Sequence, residues 1–322
     1  MKKAFLSNIK SIVFFGECMV EHRADADTSF AGDTFNTAWY LAQLIKHDSI
    51  LAIYYATAIG DDTASHKLSD LLKSSGIKTK YIATRPGMNL GQYWIKLDNR
   101  GERQFDFDRS KSPVKQYVEQ HPALLEALGE KEFDAIYLSG VSLAVLCDAQ
   151  RELLIRSLIQ FKQRGGVIIF DNNYRPALWG AFEARGWFKK IMALAELVFL
   201  TDEDEYSVYG TTNVDEIIQC HFSQPNHPDT LVIRCGSAPC IVVDKGGDSI
   251  LRISPEALVS SKIIDTTAAG DAFAAGFLSA TFKTKDYDES AKFAHRLAAR
   301  VIQYHGALIP KKVLTDLIAR ES

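Results

Sequence analysis

Two aspartates bracket a run of small residues, Asp265-Thr266-Thr267-Ala268-Ala269-Gly270-Asp271. A β-branched stretch ending at Ile264 precedes the run, and an apolar-periodic segment with Phe273, Ala274, Phe277 and Leu278 follows it. That pattern predicts strand, tight loop and helix. Ala268, Ala269 and Gly270 are small enough for backbone N–H groups to approach a ligand, and the helix behind them aims its positive end the same way, which makes an anion site. A carboxylate at Asp271 is a poor phosphate ligand but a good proton acceptor for an incoming hydroxyl. The local chemistry is that of phosphoryl transfer to an alcohol. The same residues also suit an ordinary loop in which both aspartates cap turns or helices.

Other phosphate-binding devices are missing from the sequence. No Gly-x-x-x-x-Gly-Lys-Ser/Thr occurs, and Gly16-Glu17-Cys18 after the first predicted strand does not fit a dinucleotide fingerprint. The five cysteines have no metal-ligand spacing and read as free thiols in a reducing compartment. A formal net charge of −3 argues against a nucleic-acid partner. No apolar run has the length of a membrane span. The start, Met1-Lys2-Lys3-Ala4-Phe5-Leu6, is basic and then briefly apolar, but Asn8 and Lys10 break the run without a small-residue cleavage site. A cytoplasmic location is expected.

The elements that must carry the loop alternate between strand and helix patterns. Short apolar runs at 12–15, 50–58, 134–139, Val167–Asp171 and Leu197–Thr201 read as buried parallel strands with polar residues at their C-terminal ends. Asp33 is a candidate cap for a helix to about Ile45, and Asp62 for a helix ending before Gly76. A further helix is predicted over 149–163. One region breaks the alternation: 90–97 and 102–108 flank Asp98-Asn99-Arg100-Gly101, a hairpin signal. It predicts a small β lobe, joined by strands from about 17–31, that either covers a site or extends into solvent without a role. With 322 residues, 47% of them hydrophobic, the chain suffices for one large α/β domain, 1–322, with that lobe inserted.

The 265–271 loop resembles the C-terminal signature of the ribokinase-like (PfkB) sugar kinases, usually written Asp-Thr-x-Gly-Ala-Gly-Asp. Ala268 departs from the general form and matches a variant found in ribokinases and 2-keto-3-deoxygluconate (KDG) kinases. Gly16-Glu17-Cys18-Met19, Gly32-Asp33-Thr34-Phe35-Asn36-Thr37, Gly101-Glu102-Arg103, Asp171-Asn172-Asn173-Tyr174-Arg175-Pro176 and Val301-Ile302-Gln303-Tyr304 resemble KDG kinases in the same order. The resemblance spans roughly residues 12–310. It implies a three-layer α/β/α fold with a mainly parallel central sheet and a small β-sheet lid over the sugar.

The resemblance also implies roles. Asp271 would be the catalytic base, and the N–H groups of Ala268, Ala269, Gly270 and Asp271 would stabilise the transferring phosphoryl group. Gly32, Asp33 and Asn36 would hold sugar hydroxyls, and Tyr93 would contact substrate from the lid. Arg109 and Arg175 would face a carboxylate and keto oxygen, which favours a sugar acid. Phe107 stands where these kinases commonly have a tyrosine, and Asp106 and Asp108 should point away from the pocket. Thr201, Arg234, Gly236, Ala268, Gly270 and Gly306 match the ATP side. Asp204 would organise Mg²⁺ through water, and Asp265 would help bind a monovalent cation such as K⁺. The implied reaction is transfer of the γ-phosphate of ATP to the 6-hydroxyl of KDG. A kinase for fructose or another ketose, and a non-catalytic sugar-sensing scaffold, remain as alternatives. The expected partners are a small sugar acid and ATP, and homo-oligomerisation is left open.

Overall fold

The computed structural model describes residues 6–23, 26–45, 51–97, 103–244, 247, 249–256, 262–284 and 286–319. Among these, nine strands form the larger sheet: β1 (Ser11–Phe15), β4 (Ala52–Ile59), β5 (Lys78–Thr84), β8 (Ala135–Ser139), β9 (Val167–Asp171), β10 (Leu197–Thr201), β11 (Thr230–Arg234), β12 (Cys240–Asp244) and β13 (Ile250–Ile253). Their order is β13-β12-β11-β10-β9-β8-β1-β4-β5. All pairings from β5 to β11 are parallel, and β12 and β13 add an antiparallel edge.

Alternate residues of one strand supply opposite cores. Ile12 and Phe14 of β1 face the same core as helix α1 (Asp33–Ile45) and the helices Ala269–Thr284 and Tyr287–Val301. Val13 and Phe15 face the helices Ala123–Glu130, Asp148–Gln163 and Ala181–Met192 on the other side. A strand buried on both faces has no polar position to spare, which is why these strands read as unbroken apolar runs.

The predicted elements recur with small shifts. The run at 134–139 is the strand Ala135–Ser139, with the Asp134 carboxylate accepting the N–H groups of Lys10 and Ser11 just before it. Asp62 caps the helix Thr63–Ser74 by accepting the Ser65 N–H over 2.8 Å. The strand expected at 50–58 is Ala52–Ile59. The predicted hairpin turn, Asp98–Gly101, lies outside the described residues.

The smaller sheet has the order β3-β2-β6-β7, from β2 (Met19–Arg23), β3 (Ala26–Ala31), β6 (Gln92–Leu97) and β7 (Arg103–Asp108). Both expected pieces, 17–31 and 90–109, contribute to it. A small apolar cluster of Met19, Ala31, Tyr93, Ile95 and Ala307 packs against Ala268, so this sheet rests on the 265–271 loop. The chain leaves β1 for β4 on one side and returns to β8 on the other. The carboxyl ends of β1 and β8 therefore border a switch point, where open α/β sheets leave a crevice for ligands.

Candidate active site

The crevice is built from four chain segments. Helix α1 brings Asp33 and Asn36, the end of β9 brings Asp171 to Arg175, the end of β10 brings Thr201 to Asp204, and the helix Ala269–Thr284 brings Asp271. Gly32 precedes α1 because the Glu17 carbonyl oxygen would stand 2.2 Å from a β-carbon there. Its small size is thus needed for packing as well as for the sugar contact expected of it.

Asp271 lies in the first turn of its helix, where N–H groups lack intrahelical acceptors. The Asn36 amide Nδ2 donates to its Oδ2 over 2.8 Å. Burial pushes the Asp271 carboxyl up to about 8, the neighbouring Asp33 charge adds to the rise, and the Asn36 hydrogen bond opposes it. Asp33 is also raised by burial. Its Oδ1 accepts the Thr34 N–H over 2.8 Å and its Oδ2 accepts Asn173 Nδ2 over 2.5 Å. Asp33 is the first residue of α1, and its carboxylate is held within the fold by Thr34 and Asn173. Asn173 had no assigned role in the sequence. It adopts φ 24°, a region that Asn tolerates better than most residues, and that turn aims its amide at Asp33.

The loop differs from expectation at two points. Ala268 adopts φ 61°, a left-handed conformation that favours glycine and costs an L-residue about 1–2 kcal/mol. The general family signature has glycine there, so Ala268 holds a glycine conformation with a methyl group. The Ala269 N–H bonds the Thr266 carbonyl over 3.2 Å, which withdraws it from the anion site. The N–H groups of Gly270 and Asp271 remain directed along the start of the helix.

Arg234, expected along the ATP phosphates, is buried against the loop. It grips Asp171 with two nitrogens, at 2.6 and 3.0 Å, and donates to the Gly270 carbonyl over 3.0 Å. A buried guanidinium needs a partner carboxylate, and Asp171 supplies one where a ligand phosphate would compete. Gly236 and Gly306 occupy turns at φ 55° and 86°. The Gly306 N–H donates to Asp265 Oδ2 over 2.9 Å, so this turn braces the loop's first residue. Thr201 caps the helix Asp202–Tyr209 by accepting the Asp204 N–H over 3.1 Å.

The two arginines stand differently. Arg175 is half exposed; its Nη1 donates to the Tyr174 carbonyl over 2.7 Å and lies 3.7 Å from Asp204 Oδ1. Its charge lowers both Asp33 and Asp271, so it belongs to the same field. Arg109 is held by Glu17, Nε to Oε2 over 2.7 Å, and its guanidinium lies over the Phe107 ring. Phe107 pairs across the strands with Tyr93, and their rings are 5.4 Å apart. Phe107 is exposed, as are Asp106 and Asp108 on the other face. The Tyr93 hydroxyl donates to buried Glu21. Glu17 and Glu21 went unassigned in the sequence. Glu17 lies in the link between β1 and β2 and Glu21 within β2; both are buried, and a buried carboxylate must be paired.

The metal expectations divide. No group of three or more His, Cys, Asp or Glu side chains among the described residues could hold a metal on its own. A lone partly buried Asp204 fits Mg²⁺, which binds through few carboxylates together with phosphates and water. Asp265 does not fit a monovalent cation. Its carboxylate accepts the Thr267 N–H over 2.9 Å and the Gly306 N–H over 2.9 Å, and the Arg23 guanidinium stands 3.1 Å away.

Comparison with known proteins bears on the family and the fold. The pfkB family carbohydrate kinase profile matches residues 10–313. The 2-dehydro-3-deoxygluconokinase of Dickeya dadantii (strain 3937) is 37% identical over 310 residues, covering 95% of this chain and 98% of that protein. The enzyme of the same name from Escherichia coli (strain K12) is 35% identical over 312 residues, covering 95% and 99%. The solved fructokinase with bound ATP from Xylella fastidiosa superposes with a TM-score of 0.79 at 20% identity, over 97% of this chain and 99% of that one. This last likeness bears on the fold.

Proposed function

The chain belongs to the pfkB family of carbohydrate kinases, and from that premise we propose that it is an ATP-dependent 2-dehydro-3-deoxygluconate (KDG) kinase, as its full-length relatives are named. It transfers the γ-phosphoryl group of ATP to the 6-hydroxyl of KDG, giving 2-keto-3-deoxy-6-phosphogluconate and ADP. The observation that carries the reading is the Asp271 carboxyl at the head of a helix, raised to about 8, with Asn36 and Asp33 beside it. A base whose pKa lies near the working pH both holds the needed protonation state and drives proton transfer.

In this reading Asp271 takes the hydroxyl proton while the N–H groups of Gly270 and Asp271 face the transferring group. Asn36 orients the Asp271 carboxylate, and Asp33, held by Asn173, receives a sugar hydroxyl. Arg175 and Arg109 receive the substrate carboxylate and keto oxygen. Mg²⁺, bound with ATP and watched by Asp204 through water, would neutralise phosphate charge. The small sheet acts as the lid: it carries Tyr93, Phe107 and Arg109 and rests on Ala268. No helix among the described residues is long and apolar enough to cross a membrane, and we assign the protein to the cytoplasm, working on small molecules.

The ketose-kinase alternative is weakened by Arg109 and Arg175, because a neutral sugar brings no carboxylate for either guanidinium to bind. An assay of ADP release across KDG, its galactose-derived epimer, fructose and ribose tests the substrate. KDG should exceed fructose by at least about tenfold in kcat/KM, the loss of one charged hydrogen bond or more. Equal values for the two would reject KDG and leave a kinase of another sugar.

A further inference from the structure

Arg23 closes the small sheet onto the start of the phosphate loop. It ends β2, and its side chain is largely buried between two carboxylates. Nη2 lies 3.1 Å from Asp265 Oδ2, and Nη1 lies 3.8 Å from Glu21 Oε1. Glu21 is fully buried and also accepts Ser29 Oγ over 3.0 Å. Gly306 leaves room for the guanidinium, since a β-carbon there would meet Nη1 at 2.9 Å. Asp265 is buried, and two backbone N–H groups also donate to its carboxylate.

These partners oppose a bound monovalent ion at Asp265 electrostatically. A cation is attracted to oxygen lone pairs, but here the carboxylate is surrounded by N–H donors, which present their positive ends. A second positive charge beside the guanidinium would be repelled in a poorly solvated place. The disagreement with the expected cation therefore has a structural cause.

We propose that Arg23 is a tethered replacement for that cation. It is a positioning residue: through Asp265 it holds the 265–271 loop, and so the anion-binding N–H groups, without an ion from solution. Because Arg23 sits on β2, next to the strand that carries Tyr93, it also ties the sugar side of the crevice to the phosphate side. The inference rests on the kinase reading of the site and adds that turnover is independent of K⁺ and Na⁺.

The test compares wild-type protein and Arg23→Met in potassium, sodium and tetramethylammonium chloride at one ionic strength. For wild type, kcat with KDG and ATP should agree within about twofold in the three salts, and the thermal midpoint should show no potassium-specific shift. Arg23→Met should lose at least about tenfold in kcat, with KM for KDG changed less than about threefold, because the loop rather than the sugar contacts is loosened. Potassium activation of the wild type above about fivefold, or an Arg23→Met variant with unaltered kcat, overturns the proposal. Should the variant fail to fold, the wild-type salt comparison decides alone. Should KDG prove not to be the substrate, the potassium dependence of the wild-type thermal midpoint and of ATP affinity, measured without sugar, still decides it.

Discussion

Asn36 and Asp271 are 235 residues apart in sequence, and the amide of the first donates to the carboxylate of the second over 2.8 Å. The contact exists because α1 packs against the helix Ala269–Thr284 with both N-termini opening on the same crevice. It favours the charged form of Asp271, against burial and the Asp33 charge, which favour the neutral form. The balance places the carboxyl where modest pH changes alter its charge.

The first expectation concerns pH. A base must be ionised to accept a proton, so kcat/KM should rise with pH and level off above about 8, the value to which burial pushes Asp271. Asn36→Ala removes the bond that lowers this pKa and should shift the limb to higher pH. A kcat/KM profile for KDG from pH 5.5 to 9.5 measures both. A profile flat from pH 6 upward would show that the titrating base is not a carboxyl raised to about 8.

The second concerns Asp271→Asn. Loss of a general base costs about 10²–10⁴ in rate, so kcat should fall by that order while ATP still binds. Stability should move the other way. The folded state holds the Asp271 proton up to about pH 8 while the unfolded chain releases it near pH 4. Wild-type stability therefore falls as pH rises through that window. The variant escapes this cost, so its thermal midpoint should exceed wild type by about 2 °C or more at pH 8 and match it at pH 4. Calorimetry at the two pH values checks the difference.

Arg175→Ala should separate substrate binding from folding. The guanidinium is half exposed and its nearest carboxylate oxygen is 3.7 Å away, so little of the fold depends on it. Stability should change by less than about 0.5 kcal/mol. Loss of a hydrogen bond to a charged ligand costs about 1.5–3 kcal/mol, or roughly 10- to 150-fold in KM for KDG, with KM for ATP nearly unchanged. A lower thermal midpoint without a change in KM would mark Arg175 as structural.

Arg109→Ala should behave differently, because its partner Glu17 is buried. Removing the arginine strands that carboxylate and should cost about 1–3 kcal/mol of stability in addition to weakening KDG binding. Glu17 also accepts the Ser112 hydroxyl, so it keeps one partner. The double variant Glu17→Gln, Arg109→Ala should recover most of the stability and none of the KDG affinity. Recovery of both by the double variant would mean that Arg109 does not touch substrate.

The sequence by itself determined the central parallel strands and the small-residue loop ahead of a helix. Short apolar runs bounded by polar residues, such as Val167–Asp171, read as strands covered on both faces, and a run of Ala, Ala and Gly ahead of a helical period reads as a tight turn into a helix. The hairpin signal and Asp33 at a helix start were equally local. The tertiary structure decided what those residues meet. Residue type cannot tell that Arg234 turns to Asp171 rather than to a ligand, that Glu17 holds Arg109, or that Arg23 stands at Asp265, because each partner comes from a distant segment. The same holds for the proton on Asp271. Its tendency to remain bound comes from burial and from Asp33, and both are properties of packing that no short stretch of chain contains.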